Sequence, residues 1–276
     1  MIIIEPRIRH NICITAHPQG CAAQVRAQIH YVRSRGPLAS PKRVLVIGAS
    51  NGYGLAARIV SAFGSGAATI GVAYERAGEP HRSATAGWYN SAAFQQEADR
   101  DGLPAWNVNG DAFTDAVKDE VIDRIQSKLG EVDFIIYSIA APRRIDPATG
   151  EIYSSVIKPI GRPFTSKGIE FLTGRITNMT AEPATEEEVA HTVKVMGGED
   201  WELWIRRLLR EKVLAPGALT MALSYIGPEL TRAIYRNGTI GRAKADLEAT
   251  AKRLDALLKT PGGSAVISGN KALVTR

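Results

Sequence analysis

The sequence predicts an α/β protein built on a doubly wound parallel sheet, and three observations carry that expectation. Short apolar runs recur along the chain, and the best of them are too continuous for strands with one wet face. Between them lie longer stretches with the apolar period of amphipathic helices. Directly after the first strong run comes a glycine-rich turn leading into a helix, the order from which parallel sheets with right-handed crossovers are assembled.

Taken in order, Ile2 to Ile4 read as a short β-like start, Pro18 to Gly20 as a turn, and Val25, Ile29 and Val32 as one helical stripe. Residues 1–40 therefore form an N-terminal extension that ends at Gly36-Pro37. The first strand of the sheet is Val44 to Ile47, followed by Gly48, Gly52 and Gly54 and a helix to Phe63. A second run, Thr69 to Tyr74, ends in Glu75, and a third around Trp106 to Val108 ends near Gly110-Asp111. The helical segment Asp115 to Leu129 leads into Val132 to Ser138, an almost unbroken apolar run of the kind a strand covered on both faces requires. Residues 142–184 hold several prolines and one β-prone segment near Gly174 to Met179, and read as an irregular excursion. Thr185 and Glu188 have capping-box spacing and start a helix to Met196. A further helix carries Trp201, Trp204 and Leu208, with both tryptophans expected in the core. Leu219 to Ile226 is another strand, Ile240 to Leu258 a long amphipathic helix, and Ser264 to Ile267 a last short strand, so that 1–276 reads as one domain.

Composition narrows the function. The chain has 276 residues, 45% hydrophobic and 22% charged, which is ordinary globular usage and argues against disorder. Thirty-four basic residues against 28 acidic ones give a formal charge of +6, enough to favour anionic ligands. The basic residues are scattered, however, and pairs such as Arg143-Arg144 and Arg206-Arg207 read as solvated surface rather than a nucleic-acid footprint. No apolar run approaches the roughly 18 residues of a membrane span. Met1 to Arg9 places an acid and two arginines where a signal peptide needs its apolar stretch, so a cytoplasmic protein is expected. Cys13 and Cys21 read as reduced, packed thiols, too few for a disulfide framework or a metal site. His17 stands near Cys21, but a Pro-Gly turn accounts for that spacing without a catalytic dyad.

Gly48-Ala49-Ser50-Asn51-Gly52-Tyr53-Gly54 departs from the common dinucleotide fingerprint in glycine spacing but keeps its physics. Glycine allows the tight turn and lets backbone N–H groups approach a pyrophosphate, while the following helix N-terminus adds partial positive charge. Glu75 lies about 20 residues past the glycines, where a carboxylate can accept hydrogen bonds from the adenosine ribose hydroxyls and repel a 2′-phosphate. NADH is thus favoured over NADPH, although Arg76 could soften the preference by pairing with a phosphate. Asp111 is placed to hydrogen-bond the adenine amino group, and the small residues Ser138 to Ala140 would let the chain pass close to the ribose.

Tyr225 lies at the end of the Leu219 to Ile226 strand, Tyr235 follows it, and Lys244 sits in the first turns of the long helix. Nine residues of helix rotate through about 900°, so Tyr235 and Lys244 in one regular helix would face opposite ways. With Tyr235 instead in the loop containing Asn237-Gly238, both side chains can converge at the carboxyl end of the sheet. A phenol near a lysine ammonium can supply a proton or a hydrogen bond at neutral pH.

Leu223 to Ala249 (LSYIGPELTRAIYRNGTIGRAKADLEA) resembles the active-site segment of NADH-dependent enoyl reductases of the short-chain dehydrogenase superfamily. Its Tyr-x8-Lys spacing is similar to that of the FabV-type trans-2-enoyl-ACP/enoyl-CoA reductases. PRIR, TAHPQGC, VLVIGASNGYGLAARI, TAGWYNSAAF, NGDAF and PATEEEVAHTVKVMGGEDWELW are similar to the same family, so the resemblance spans essentially the whole chain. It implies a Rossmann-type fold and reduction of the trans-2 double bond of enoyl-ACP or enoyl-CoA thioesters in fatty acid synthesis. It also implies Tyr235 as proton donor, Tyr225 as contact to the substrate thioester carbonyl, and Lys244 as ligand of the cofactor ribose. Gly48, Ala49, Ser50, Asn51, Gly52, Tyr53, Tyr74, Glu75, Asp111, Ala112, Ile139 and Ala140 would hold NADH, with Leu273, Val274 and Thr275 at its nicotinamide end. Family members continue past the equivalent of Arg276 into substrate-covering structure, so a partial reductase is expected, acting as a monomer on an acyl thioester carried by ACP or CoA.

Two rival functions differ in what the sequence would show. A short-chain ketoreductase would normally carry Tyr-x3-Lys on one helical face, a spacing absent at Tyr235. A nonreactive NADH-binding or regulatory module would bind cofactor without turning over any enoyl thioester.

Overall fold

The computed structural model describes residues 4–9, 12–170, 173–225 and 227–271. The apolar start at Ile2-Ile3 lies outside them. Strands β1 (Ile8–Arg9) and β2 (Ile12–Cys13) form a small antiparallel ladder ahead of helix α1 (Pro18–Ser34). Pro18 to Gly20 are the first turn of this helix rather than a separate turn. Proline suits that position because its missing N–H would be unpaired there anyway. His17 caps it, its Nδ1 accepting from the Gly20 N–H at 3.2 Å, which accounts for the histidine by geometry alone. Cys21 is buried in this helix, but Cys13 is exposed rather than packed.

The sheet follows. Strand β3 (Arg43–Ile47) leads to α2 (Gly52–Ile59), which continues as a wider π turn over Val60–Gly64. Then come β4 (Ala68–Ala73), α3 (Ala86–Arg100), β5 (Ala105–Asn109), α4 (Asp115–Lys128) and β6 (Val132–Tyr137). The excursion carries β7 (Arg143–Ile145), β8 (Ile152–Ser154), β9 (Phe164–Ile169) and β10 (Ile176–Ala181). Helices α5 (Glu186–Met196) and α6 (Glu199–Arg210) precede β11 (Leu214–Ser224), α7 (Thr239–Leu258) and β12 (Ser264–Gly269). Six strands pair in parallel in the order β12-β11-β6-β3-β4-β5. The order reverses between β3 and β6, and in open α/β sheets ligands bind in the crevice at that reversal.

Val44 to Ile47 are wholly buried because both faces of β3 are covered. Val44 and Val46 pack with Ala49 and the α2 residue Ala57, and on the same side Val25 and Ile29 of α1 pack with Leu55, Ile59 and Phe94. Leu45 and Ile47, pointing the other way along the strand, join Val121 and Ile125 of α4, Trp201 and Trp204 of α6, and Leu247 and Leu254 of α7. The N-terminal segment is thus a working part of one layer, since α1 covers α2 and α3. Each wholly buried aliphatic side chain stabilises this arrangement by roughly 1.5 to 3 kcal/mol.

Four elements depart from the sequence reading. Helix α3 was not expected, because its stretch carries only a thin stripe of Ala93, Phe94 and Ala98 and a glycine near its start. Strand β11 begins at Leu214, five residues early, since Ala215-Pro216-Gly217 looks like a turn and in fact forms an irregularity in register, with Gly217 at φ +76°. Residues 142–184 are not irregular: β7 pairs with β8 and β9 with β10, both antiparallel. Their short strands leave most side chains in water, so no hydrophobic period marks them. Finally, Arg144 is not solvated surface. It is 2% exposed, with its Nη1 2.7 Å from Glu199 Oε2 and 2.8 Å from the Lys194 carbonyl. The capping box at Thr185 and Glu188 forms as expected.

Candidate active site

At the end of β3 the chain turns through Gly48 at φ +92°, a conformation open to glycine at little cost. A Cβ there would stand 2.5 Å from the Ser138 carbonyl oxygen, and one on Gly54 would overlap the Gly48 carbonyl. The two glycines therefore let the loop fold onto itself and lie against the end of β6. The Gly48 and Ala49 N–H groups both donate to the Val72 carbonyl at 2.9 Å, which fixes the loop to β4. No side chain among the described residues caps α2, so the first-turn amides beginning at Gly52 are left for an external acceptor. A pyrophosphate suits those amides, because a helix N-terminus carries partial positive charge and N–H donors aimed outward.

Glu75 follows β4 and is held by four hydrogen bonds to three side chains. Its Oε1 accepts from Ser50 Oγ at 2.6 Å and Asn51 Nδ2 at 3.3 Å. Its backbone pairs with the Asn109 side chain, N–H to Oδ1 at 2.8 Å and Nδ2 to carbonyl at 2.9 Å. Asn90 of α3 then donates to Asn51 Oδ1 at 2.9 Å and to the Ser50 carbonyl at 3.0 Å. Gly87, in the first turn of α3, leaves room for the carboxylate, since a Cβ there would overlap Glu75 Oε1. Neighbouring Tyr74 is 78% exposed, an apolar face beside the carboxylate. The acid thus sits fixed beside the glycine loop, with Oε2 engaged by no hydrogen bond among the described residues. Gly87, Asn90 and Asn109 were not singled out in the sequence; the only signal for the first two was the TAGWYN motif.

Asp111 lies just past β5, where its Oδ1 accepts the Phe113 N–H at 3.0 Å, and buried Ala112 follows it. Ser138, Ile139 and Ala140 leave β6 across the loop, and the Ser138 N–H donates to the Ile47 carbonyl at 2.8 Å. Asp111, Glu75, the glycine loop and Ile139-Ala140 therefore share the carboxyl edge of neighbouring strands β5, β4, β3 and β6. Leu273, Val274 and Thr275 lie outside the described residues.

The second half of the site is built after β11. Tyr225 directly follows that strand, a 3₁₀ turn at Glu229–Thr231 comes next, and Tyr235 stands in the turn before α7, not in the helix, as the spacing requires. The rings of Tyr225 and Tyr235 meet edge to face with centroids 5.1 Å apart. Thr239, at the start of α7, donates its N–H to the Lys158 carbonyl at 3.0 Å and accepts the Lys158 N–H on Oγ1 at 3.2 Å. The excursion thereby fixes the start of the helix that carries Lys244. Lys244 is 9% exposed and has no hydrogen-bond or ion-pair partner among the described residues, and burial holds its ammonium below the ordinary lysine value. A buried cation without a partner is costly unless something else completes it.

A glycine cradle, a fixed carboxylate one strand away, and an unpartnered buried ammonium suit a dinucleotide's pyrophosphate and riboses. Comparison with known proteins agrees. Residues 3–80 match the model of the NAD(P)H binding domain of trans-2-enoyl-CoA reductase, and residues 82–276 match that of the trans-2-enoyl-CoA reductase catalytic region. An enoyl-acyl-carrier-protein reductase (NADH) of Opitutus terrae is 58% identical over all of this chain and 70% of its own length. A trans-2-enoyl-CoA reductase (NADH) of Ruminiclostridium cellulolyticum is 50% identical over 100% of this chain and 70% of its own. The crystal structure of Treponema denticola trans-2-enoyl-CoA reductase in complex with NAD superposes with a TM-score of 0.95 at 52% identity, covering 100% of this chain and 70% of that one. With the family models spanning both the cofactor half and the tyrosine half of the site, the chain belongs to the trans-2-enoyl-CoA reductase family.

Proposed function

We propose that this chain reduces the trans-2 double bond of enoyl thioesters with NADH. The observation that carries the reading is Lys244, a buried ammonium with no partner among the described residues, on the helix that follows the Tyr225–Tyr235 pair. Bound NADH supplies a hydride to the β-carbon of the substrate. Negative charge then develops on the thioester oxygen, where hydroxyl donors placed in advance stabilise it. Tyr225 and Tyr235 supply those donors, and Tyr235, directly or through a water, returns a proton to the α-carbon. Lys244 donates to a ribose hydroxyl and so orients the nicotinamide. Glu75 accepts from the adenosine ribose hydroxyls, Ser50 to Tyr53 offer amides to the pyrophosphate, and Asp111-Ala112 and Ile139-Ala140 border the adenosine.

The names of the relatives, which specify both acyl-carrier-protein and CoA reductases, support an acyl thioester without choosing the carrier. In this reading the enzyme works in the cytoplasm and engages no nucleic acid. The basic pair Arg206-Arg207 supports this, since Arg206 binds Glu202 at 2.7 Å and Arg207 binds Asp115 and Asp119 instead of forming an open cationic patch. No helix among the described residues is long and apolar enough to cross a membrane.

The test is oxidation of NADH, followed by its absorbance, with crotonyl-CoA as substrate and a 3-ketoacyl thioester as control. Turnover of the enoyl thioester alone is expected. Binding of NADH without turnover would favour a regulatory module, and turnover of the ketone alone would favour a ketoreductase.

A further inference from the structure

Behind the cofactor edge of the sheet lies a buried ionic cluster that the reaction does not use. Lys118 of α4 and Asp200 of α6 form an ion pair at 2.9 Å with side chains 2% and 3% exposed. The other carboxylate oxygen of Asp200 accepts the hydroxyl of Tyr137, the last residue of β6, at 3.0 Å. The remaining two ammonium N–H groups of Lys118 reach the carbonyls of Ala112 at 3.0 Å and Phe113 at 2.8 Å. Trp204 adds its indole N–H to the Ala112 carbonyl at 3.1 Å. All three lysine donors are spent, and each carboxylate oxygen has one donor.

Stability alone does not ask for these charges. They sit among Val121, Trp201, Trp204 and Ile205, and replacing a buried ion pair by apolar side chains of similar volume is often neutral or stabilising. What charged hydrogen bonds add over apolar packing is direction. Here one end of the cluster finishes on the Ala112 and Phe113 carbonyls and the other on the Tyr137 side chain, both beside the cofactor edge. Ala112 is next to Asp111, and Tyr137 immediately precedes Ser138 to Ala140. Displacement at β6 would also pass to the glycine loop, because Gly48 lies against the Ser138 carbonyl with no room for a Cβ between them.

We propose that Asp200, Lys118 and Tyr137 are positioning residues, a buried clamp that sets the spacing of the β5 and β6 strand ends and so the affinity for the adenosine half of NADH. The inference rests on the cofactor reading above. The clamp joins the loop after β5 to the end of β6 through α6, although β5 and β6 are separated in the sheet by β3 and β4. No ladder joins β5 to β6 directly, so the clamp ties the two strand ends across the two strands between them. Arg144 extends the arrangement outward, its guanidinium 5.6 Å over the Phe113 ring and paired with Glu199, the residue before Asp200.

The experiment compares equilibrium NADH binding, by cofactor fluorescence, with thermal unfolding and steady-state kinetics for four proteins. Asp200→Asn and Tyr137→Phe remove single polar contacts, and the double variant Lys118→Met/Asp200→Leu removes both charges together. Each variant is expected to weaken NADH binding, the double by roughly tenfold or more, raising KM for NADH while kcat at saturating NADH stays within about threefold. The double variant leaves the Phe113 carbonyl and the Tyr137 hydroxyl without these partners and should unfold somewhat below wild type, so affinity is read well below its melting temperature, which separates positioning from mere stability. Should Asp200→Asn not fold, the other two decide. Wild-type NADH affinity in a folded double variant overturns the clamp, as does loss of affinity only in step with loss of fold. Failure of the unaltered protein to bind NADH would instead strike the cofactor reading itself and take the clamp with it.

Discussion

The rings of Tyr225 and Tyr235 meet edge to face, their planes 88° apart, so each phenol fixes the other's orientation. Such a pair contributes about 0.5 to 1.5 kcal/mol beyond burial, and it resides in the rings rather than the hydroxyls. Tyr235→Phe should therefore keep the local fold and NADH binding while lowering turnover by about two to four orders of magnitude, the scale of a lost general acid. Turnover of crotonyl-CoA by the folded variant is the measurement. Retention of most of it would show that the proton comes from elsewhere, with Tyr225 the next residue to test.

Lys244 links function to stability with opposite signs. Its buried ammonium has no partner among the described residues, so Lys244→Met should raise the melting temperature of the cofactor-free protein and weaken NADH binding. The pH dependence follows from direction. Burial puts the folded-state pKa below the ordinary 10.5, so between the two values the unfolded chain binds more protons and wild-type stability rises with pH. The cost is complete below the folded-state pKa and gone above 10.5. The advantage of the variant should thus be greatest near neutrality and shrink as pH rises toward that value. A melting-temperature difference independent of pH would show that the ammonium is compensated in the folded protein.

How far the sequence carried can be read from these residues. The glycine loop, Glu75 and the placement of Tyr235 before α7 were legible because each answers to local geometry, a positive φ at Gly48 or a rotation of helix that cannot bring Tyr235 and Lys244 together. The parallel strands were legible because burial on both faces writes a continuous apolar run. Helix α3 and the two hairpins of 142–184 were not, since they bury few side chains and their stability comes from what they touch. Arg144 and Asp200 show the same limit more sharply. A charged residue reads as surface until a partner far along the chain is known, and Asp200 meets Lys118 across 82 residues.

Glu75 should make NADH the preferred cofactor. Its Oε1 is occupied by Ser50 and Asn51, which fixes the carboxylate where a 2′-phosphate would have to lie. A close, poorly solvated contact between like charges costs about 1 to 3 kcal/mol, or roughly 5- to 150-fold in relative kcat/KM. Glu75→Ala should shrink that ratio, the more so because exposed Arg76 could then pair with the phosphate. Kinetics with both cofactors on both proteins provide the check. A wild-type preference for NADPH would remove Glu75 as the discriminating residue.

Gly87→Ala tests whether the position of Glu75, rather than its charge alone, matters. Gly87 lies in α3 in ordinary helical backbone, where alanine by itself would favour the helix by about 1 kcal/mol. The new methyl group would overlap Glu75 Oε1 and stand 2.6 Å from Asn51 Nδ2, so the carboxylate and its amide partner must both move. The helix gains while the ribose acceptor is displaced. The expected result is a melting temperature close to wild type with NADH binding weakened about tenfold, the equivalent of one lost hydrogen bond of about 1 to 1.5 kcal/mol. Adding Glu75→Ala to Gly87→Ala should then cost little more, because the carboxylate has already been lost from its place. If Gly87→Ala binds NADH as wild type does while Glu75→Ala does not, the carboxylate tolerates displacement and acts through its charge, and the packing of Gly87 against it serves only the join between α3 and β4.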